Sequence, residues 1–352
     1  MSVNRKLIGY VGTYTKGDSE GIYSFVLDTE SAKLGEVKAV AELDNPTYVT
    51  VSQDNQYLYS VIKDGEKGGA AAYAIRGENG ELELLNKQLS EGASPCHVSV
   101  DSNNHYVVTA NYHKGTVEAY ATKEDGSLNP VSSTVQHHGS GPNKERQEKP
   151  HVHYAGFTPD EKYVAVVDLG IDKLMTYSVN NGELAEVSSL SVKPGSGPRH
   201  LAFHPNGKYA YLMTEISSEV IVLSYKSEDG SFTELQTIPT IPEDFHENNQ
   251  GSAIHISSDG RFVYAANRGH DSIALFSVNQ DSGKLTFVGR TSTEGNWPRD
   301  FVLDPTEKFL VASNQNSSNL VLFQRDEATG KLTLVQSDVA VPDPVCVKFL
   351  HV

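Results

Sequence analysis

The chain is poor in the residues that staple, anchor or tether a protein. Among 352 residues there are only two cysteines, three methionines and one tryptophan. Two thiols cannot build a disulfide framework. Cys96 and Cys346 also fall in repeats that are not neighbours, so no bridge is expected and a reducing cytoplasm is the default setting. No apolar run is long enough to cross a bilayer. Met1 to Lys6 lead into the first apolar run with no signal-type stretch, so neither a membrane partner nor export is expected. Basic charge is scarce: 29 Lys and Arg against 45 Asp and Glu give a formal net charge of −16. That balance keeps a protein soluble and argues against nucleic acid, whose backbone needs a basic face. A Gly-x-Ser-x-Gly elbow is missing too, and no sequence signature nominates a covalent nucleophile.

What is present is one pattern, repeated. A proline, a short apolar run, a turn, an aromatic, a second apolar run and a polar stop recur from Pro46, Pro95, Pro150, Pro198, Gly251, Pro298 and Pro344. The starts lie 49, 55, 48, 53, 47 and 46 residues apart. The runs are short and alternating, as in Tyr209-Ala210-Tyr211-Leu212 and Phe262-Val263-Tyr264-Ala265, which fits strands and not amphipathic helices. Turn signals such as Asp125-Gly126, Asn181-Gly182, Asp229-Gly230 and Ser282-Gly283 separate them. Repeats of this size predict an all-β, seven-bladed β-propeller with four-stranded antiparallel blades. The seventh copy stops after its first strand, Pro344 to Leu350, while Lys6 to Tyr14 resembles a second strand. The last blade is therefore expected to take one strand from the C-terminus and the others from the N-terminus, closing one domain over residues 1–352.

A propeller brings the same loop of every blade to one axis, so aligned positions can be read as one site. The residue after the proline is Thr47, Cys96, Arg199, Ser252, Arg299 and Val345; in the longer third copy His153 takes the slot, with His151 two residues before it. Six residues past the aromatic stand Lys63, Tyr112, Leu169, Glu215, Arg268 and Gln315, preceded by Ile62, Asn111, Asp168, Thr214, Asn267 and Asn314. Both slots lie at the same rim of a blade. Arg199, Arg268, Arg299, Glu215, His151 and His153 should converge there, with His97, Asn111, Asp168, His200 and Asn267 as a second ring. Arginines offer planar donors for carboxylate, phosphate or an acyl-transfer oxyanion. Histidine and glutamate can move a proton near neutral pH.

Plainer readings stand beside these. Arg299 with Asp300 could be a salt bridge between blades. His151 and His153 have the spacing of two metal ligands on a strand, completed by Glu215 or His97, but neighbouring arginines would repel a divalent ion, and no metal or other cofactor is expected. His204, His255 and Asp304 suit turns or strand ends, and His113, His137, His138, His246 and His351 suit solvent. Trp297 either packs under the rim or lines the pocket. The polar stretch 137–149 breaks the repeat just before His151. It is either a solvated loop or a flap carrying Lys144 or Arg146 to a substrate phosphate.

Several runs carry a family resemblance: Gly197-Pro198-Arg199-His200 through Glu215, Gly139 to Pro142, Arg146 to His153, and Val167 to Gly170. So do Pro242 to Phe245, Ile254 to Gly260, and Asn296 to Asp300. Along its whole length the chain resembles the seven-bladed propeller lactonase family, which holds bacterial 6-phosphogluconolactonases and fungal carboxymuconate-lactonizing enzymes. The resemblance implies a metal-independent carboxylic ester hydrolase acting on 6-phospho-D-glucono-1,5-lactone in the pentose phosphate pathway. It places the catalytic set on His151, His153, Arg199, Glu215 and Arg268; Arg299 comes from the register alone.

Hydrolysis of a small anionic sugar lactone by a monomer or homodimer is the expectation, with Glu215 or a histidine as base. A muconate-type cycloisomerase would use the same arginines on a dicarboxylate. A non-catalytic propeller that docks a partner is the third reading, although the WD dipeptide is absent and channel arginines are ill suited to a flat contact.

Overall fold

β-Branched and aromatic residues at alternating positions, punctuated by turns, fold into strands because each strand can bury one or both faces against a neighbouring sheet. The computed structural model describes residues 5–352; the start of the Met1–Lys6 stretch, Met1 to Asn4, lies outside the described residues. Those residues form seven four-stranded sheets, antiparallel throughout. Each repeat start opens the innermost strand of a blade, as in Pro198–Phe203, Pro298–Leu303 and Pro344–Phe349. The ring closes as expected: Pro344–Phe349 pairs with Lys6–Thr13, Val11 facing Val347 and Gly9 facing Phe349. Among the described residues no helix is long and apolar enough to cross a membrane.

The core is distributed between blades. Seven buried clusters each join two neighbouring blades, such as Phe25 and Val347 with Val311 and Leu322, or Tyr211 and Met213 with Val263 and Phe276. A polar clip recurs at the same seam. The buried hydroxyls of Tyr10, Tyr59, Tyr211 and Tyr264 donate to the carbonyls of Gly80, Gly126, Gly283 and Gly330 in the next blade, at 2.8, 2.9, 2.9 and 2.5 Å. Those glycines turn the outer hairpins with φ between 66° and 83°. A Cβ on Gly80 would stand 2.6 Å from the Tyr10 hydroxyl, so both backbone angle and space demand glycine.

The inner strands carry one further device. Pairing slips by one residue between Val152 and Tyr154, Pro198 and His200, and Pro298 and Asp300. The residues skipped are His153, Arg199 and Arg299. A β-bulge frees its extra residue from the ladder and re-aims the side chain, here toward the ring axis. His153 thus aligns with the two arginines, while His151 lies before the strand and outside that register.

Candidate active site

At the mouth of the axis lies a cavity of about 600 Å³. Strand-end residues Lys63, Tyr112, Glu215 and Arg268 line it, together with His153, Arg146, Arg299 and Trp297. Arg199 sits one layer deeper, against a narrow neck of about 30 Å³ that it shares with His153, His200, Arg299 and Asp300. Beyond the neck a rear pocket of about 310 Å³ is lined by His97, His200, Tyr48, Tyr154 and Lys348.

Glu215 is the electrostatic centre. Its Oε2 stands 3.0 Å from Arg268 Nη2 and 3.2 Å from Arg199 Nε, while Arg146 Nη2 donates to Oε1. The Arg199 Nε contact is an ion pair by distance but is not aligned as a hydrogen bond. Burial opposes ionisation of Glu215, yet Arg268, Arg199 and Arg146 outweigh it and hold the carboxyl well below its usual range. Arg299 completes the set, bonding Gln315 Oε1 at 3.2 Å and lying over the Tyr14 ring. Four guanidinium groups and the lysines Lys16 and Lys63 thus meet the carboxylates of Glu215, Glu66 and, in the neck, Asp300, a local surplus of about three positive charges in a chain whose formal charge is −16. Arg268 also lies over Trp297, its ring centroid 5.5 Å away.

The histidines separate. Burial, reinforced by Arg199, pushes His153 well below its ordinary value, so it is neutral near pH 7. Its Nδ1 is buried and has no protein partner. His151 is fully engaged elsewhere. Its Nδ1 bonds the Tyr112 carbonyl at 2.8 Å, its Nε2 meets Glu148 at 3.0 Å, and its ring stacks on Tyr112. It does not border the mouth cavity, and the two histidines do not form a ligand pair. Among the described residues no group of three or more His, Cys, Asp or Glu is placed to hold a metal ion. Burial pushes the Cys96 thiol up to about 12, which suits no nucleophile.

The second ring divides in two. Asn111, Asp168 and Asn267 do not reach the mouth. Asn111 bonds the Ala93 carbonyl, Asp168 bonds His137 and the His151 and Gly170 amides, and Asn267 bonds Thr240. Successive side chains on a strand point to opposite faces, so the residue before each mouth residue must turn away. His97 and His200 face the axis below the mouth, their rings 5.5 Å apart, in the rear pocket instead of at the rim.

Other placements are left open by the sequence, or are assigned differently there. The 137–149 stretch packs as a built loop: Asn143 Oδ1 accepts from the Glu145 and Arg146 amides, buried Gln147 donates to the Leu169 carbonyl, and Arg146 reaches the cavity while Lys144 stays exposed. His137 is buried between Asp168 and Tyr177, not solvated. Trp297, at φ 69°, lines the cavity, as do Tyr14, Lys16, His113 and Gln250. Tyr14 could have been found by carrying the register across the ring closure, since Thr13 faces Pro344 as Thr214 faces Pro198. Asp300 does not bridge to Arg299; it accepts from the Val347 amide at 3.0 Å and approaches His255 at 3.5 Å.

A closed seven-bladed ring with a cationic mouth, a buried neutral histidine and no activated thiol has the makings of a hydrolytic site for an anionic substrate. Residues 8–349 match the family model described as a seven-bladed β-propeller lactonase, and the chain belongs to that family. It is 63% identical to a 6-phosphogluconolactonase of Bacillus subtilis, covering 98% of this chain and 99% of the relative. The crystal structure of a putative 6-phosphogluconolactonase from Bacteroides fragilis superposes with a TM-score of 0.92 at 38% identity, covering 99% of each chain. A periplasmic gluconolactonase of Pseudomonas aeruginosa gives 0.93 at 33% identity, also over 99% of each chain.

Proposed function

We propose that this protein hydrolyses sugar lactones, opening 6-phospho-D-glucono-1,5-lactone to 6-phosphogluconate for the pentose phosphate pathway. One observation carries the reading: the surplus of guanidinium charge around Glu215, in a cavity large enough for a phosphorylated sugar. Arg199 and Arg268 are suited to bind the lactone carbonyl oxygen and the oxyanion it becomes. Preorganised donors of this kind each stabilise such a transition state by about 2.7–4 kcal/mol. Arg146 and Arg299 supply the remaining charge for the phosphate.

Glu215 is a poor base because its proton affinity is so low; its role is to hold three arginines in place. His153 takes the base role. Its imidazole removes a proton from water as the oxygen bonds to the carbonyl carbon. The ring C–O bond then breaks, and the same proton passes to the departing ring oxygen. His151, occupied by Glu148 and Tyr112, supports the wall beside it. We place the enzyme in the cytoplasm, as a monomer or homodimer without nucleic-acid or membrane partners. Two free cysteines and a formal charge of −16 support that setting. Purified protein should accelerate loss of 6-phosphogluconolactone well above its spontaneous rate; no acceleration would end the reading.

A further inference from the structure

Among the described residues eleven buried side-chain atoms lack a protein hydrogen-bond partner, and six of them belong to residues around the neck: His153 Nδ1, His200 Nε2, Arg199 Nε and Nη1, Arg299 Nε and Asp300 Oδ1. Buried polar groups are nearly always satisfied, by protein or by ordered water. So dense a group of exceptions around about 30 Å³ points to water, since a space of roughly 10–15 Å³ already holds one molecule. The guanidinium groups can only donate, an ionised Asp300 can only accept, and the histidines can do either.

We propose that Asp300 is a positioning residue for the reaction: through a water held in the neck, its Oδ1 accepts the hydrogen-bond chain that begins at His153 Nδ1–H, leaving the His153 Nε2 lone pair facing the substrate. The inference rests on the base role given to His153. The water accepts from His153 Nδ1–H and Arg299 Nε–H, and donates to Asp300 Oδ1 and His200 Nε2. Asp300 is suited to the role: its Oδ2 is fixed by the Val347 amide, it is 2% exposed, and its other oxygen has no aligned partner. Burial opposes its charge, but Lys348, His255 and the Val347 amide more than offset this and keep it ionised. The logic is that of a catalytic triad, in which a buried aspartate fixes the tautomer of the base without itself taking the proton. Here one water stands between them. Asp300 touches no reacting atom.

The test has two arms. Histidine ring ¹⁵N spectra of the wild-type protein, with His153 assigned by loss of its signals in His153→Asn, should show the proton on Nδ1. In Asp300→Asn the amide can present N–H instead of a lone pair, so the Nε2–H tautomer should rise. The same variant should lose about 10²-fold in kcat, with KM changed less than about twofold, because only the proton-transfer contribution is removed. A wild-type His153 protonated at Nε2 would overturn the proposal, and would mean that the two arginines fill both lone pairs of the water. So would wild-type turnover by a folded Asp300→Asn protein. If that variant does not fold, the wild-type spectrum still decides. A protein that opens no lactone but shows the Nδ1–H tautomer would sink the activity and leave the Asp300 contact standing.

Discussion

Replacing Glu215 by glutamine separates a scaffold from a base. The carboxylate is 4% exposed and is the counter-charge of Arg146, Arg199 and Arg268. Glutamine keeps the shape but leaves three guanidinium groups unpaired. Removing one partner of a buried ion pair costs about 3–5 kcal/mol. Unfolding entropy near 2.1 cal/mol/K per residue, over a chain of 352 residues, is roughly 0.7 kcal/mol/K. The melting temperature should therefore fall by about 4–7 °C. Binding should suffer more than turnover, with KM raised about tenfold, and Glu215→Asp should be nearly as harmful because the shorter side chain cannot reach all three arginines. The sign with pH follows from the depressed carboxyl. Its contribution is fully present above the unfolded pKa of about 4.3 and is lost as pH falls through the lower folded value. The gap between wild type and Glu215→Gln should be constant above about pH 5.5 and shrink below about pH 4. Calorimetry from pH 3 to 8 with steady-state kinetics reads all of this. An unchanged melting temperature with turnover down 10²-fold or more would refute the reasoning and make Glu215 the base.

Three further outcomes follow. Burial holds His97 down at about 3, and burial with Arg199 holds His153 and His200 well below their ordinary values. Stability should therefore be full above about pH 6.5 and fall as pH drops, by up to roughly 1.4 kcal/mol per pH unit for each histidine; denaturant titrations should show His200→Phe with a shallower slope, and an equal slope would contradict it. His153→Asn should lose at least about 10²-fold in kcat, whereas His151→Asn, which disturbs only the Glu148 and Tyr112 contacts, should lose less than about tenfold; single-variant kinetics compare them. Truncation before Pro344 removes buried Val345, Val347 and Phe349, worth about 1.5–3 kcal/mol each, and leaves the inner edge of the Lys6–Thr13 strand unpaired. Against a net stability of about 5–15 kcal/mol, cooperative melting should disappear, and a sharp transition in the truncated chain would contradict the closure argument.

The ring was legible because its signal is repeated: seven copies, six of them led by proline, at spacings of 46 to 55 residues leave one closed architecture that also explains the incomplete last copy. Arg199, Arg268, Arg299 and Glu215 were legible for the same reason, since aligned slots in a ring share an axis. The failures have local causes. Asn111, Asp168 and Asn267 sit one residue from a mouth position, and the pleat turns such neighbours away. His151 was placed by strand alternation, but the strand begins at Val152 and the bulge at His153 resets the face. His137 looked solvated in a glycine-rich polar run, yet it closes a buried contact to Asp168 that no local pattern encodes. Most residues of the neck were read from the register, but their unpartnered hydrogen-bonding atoms were not, because side-chain partners across blades are decided only in three dimensions.

The account's central claim is that the arginine-lined mouth binds the reacting end of a phosphorylated sugar acid. Crystals soaked in 6-phosphogluconate test it most directly. The product carboxylate should lie within hydrogen-bond reach of Arg199 and Arg268, with C1 beside His153 Nε2 and the phosphate toward Arg146 or Arg299. Density for the anion in the rear pocket beside Lys348, with the mouth unoccupied at saturating ligand, would contradict it.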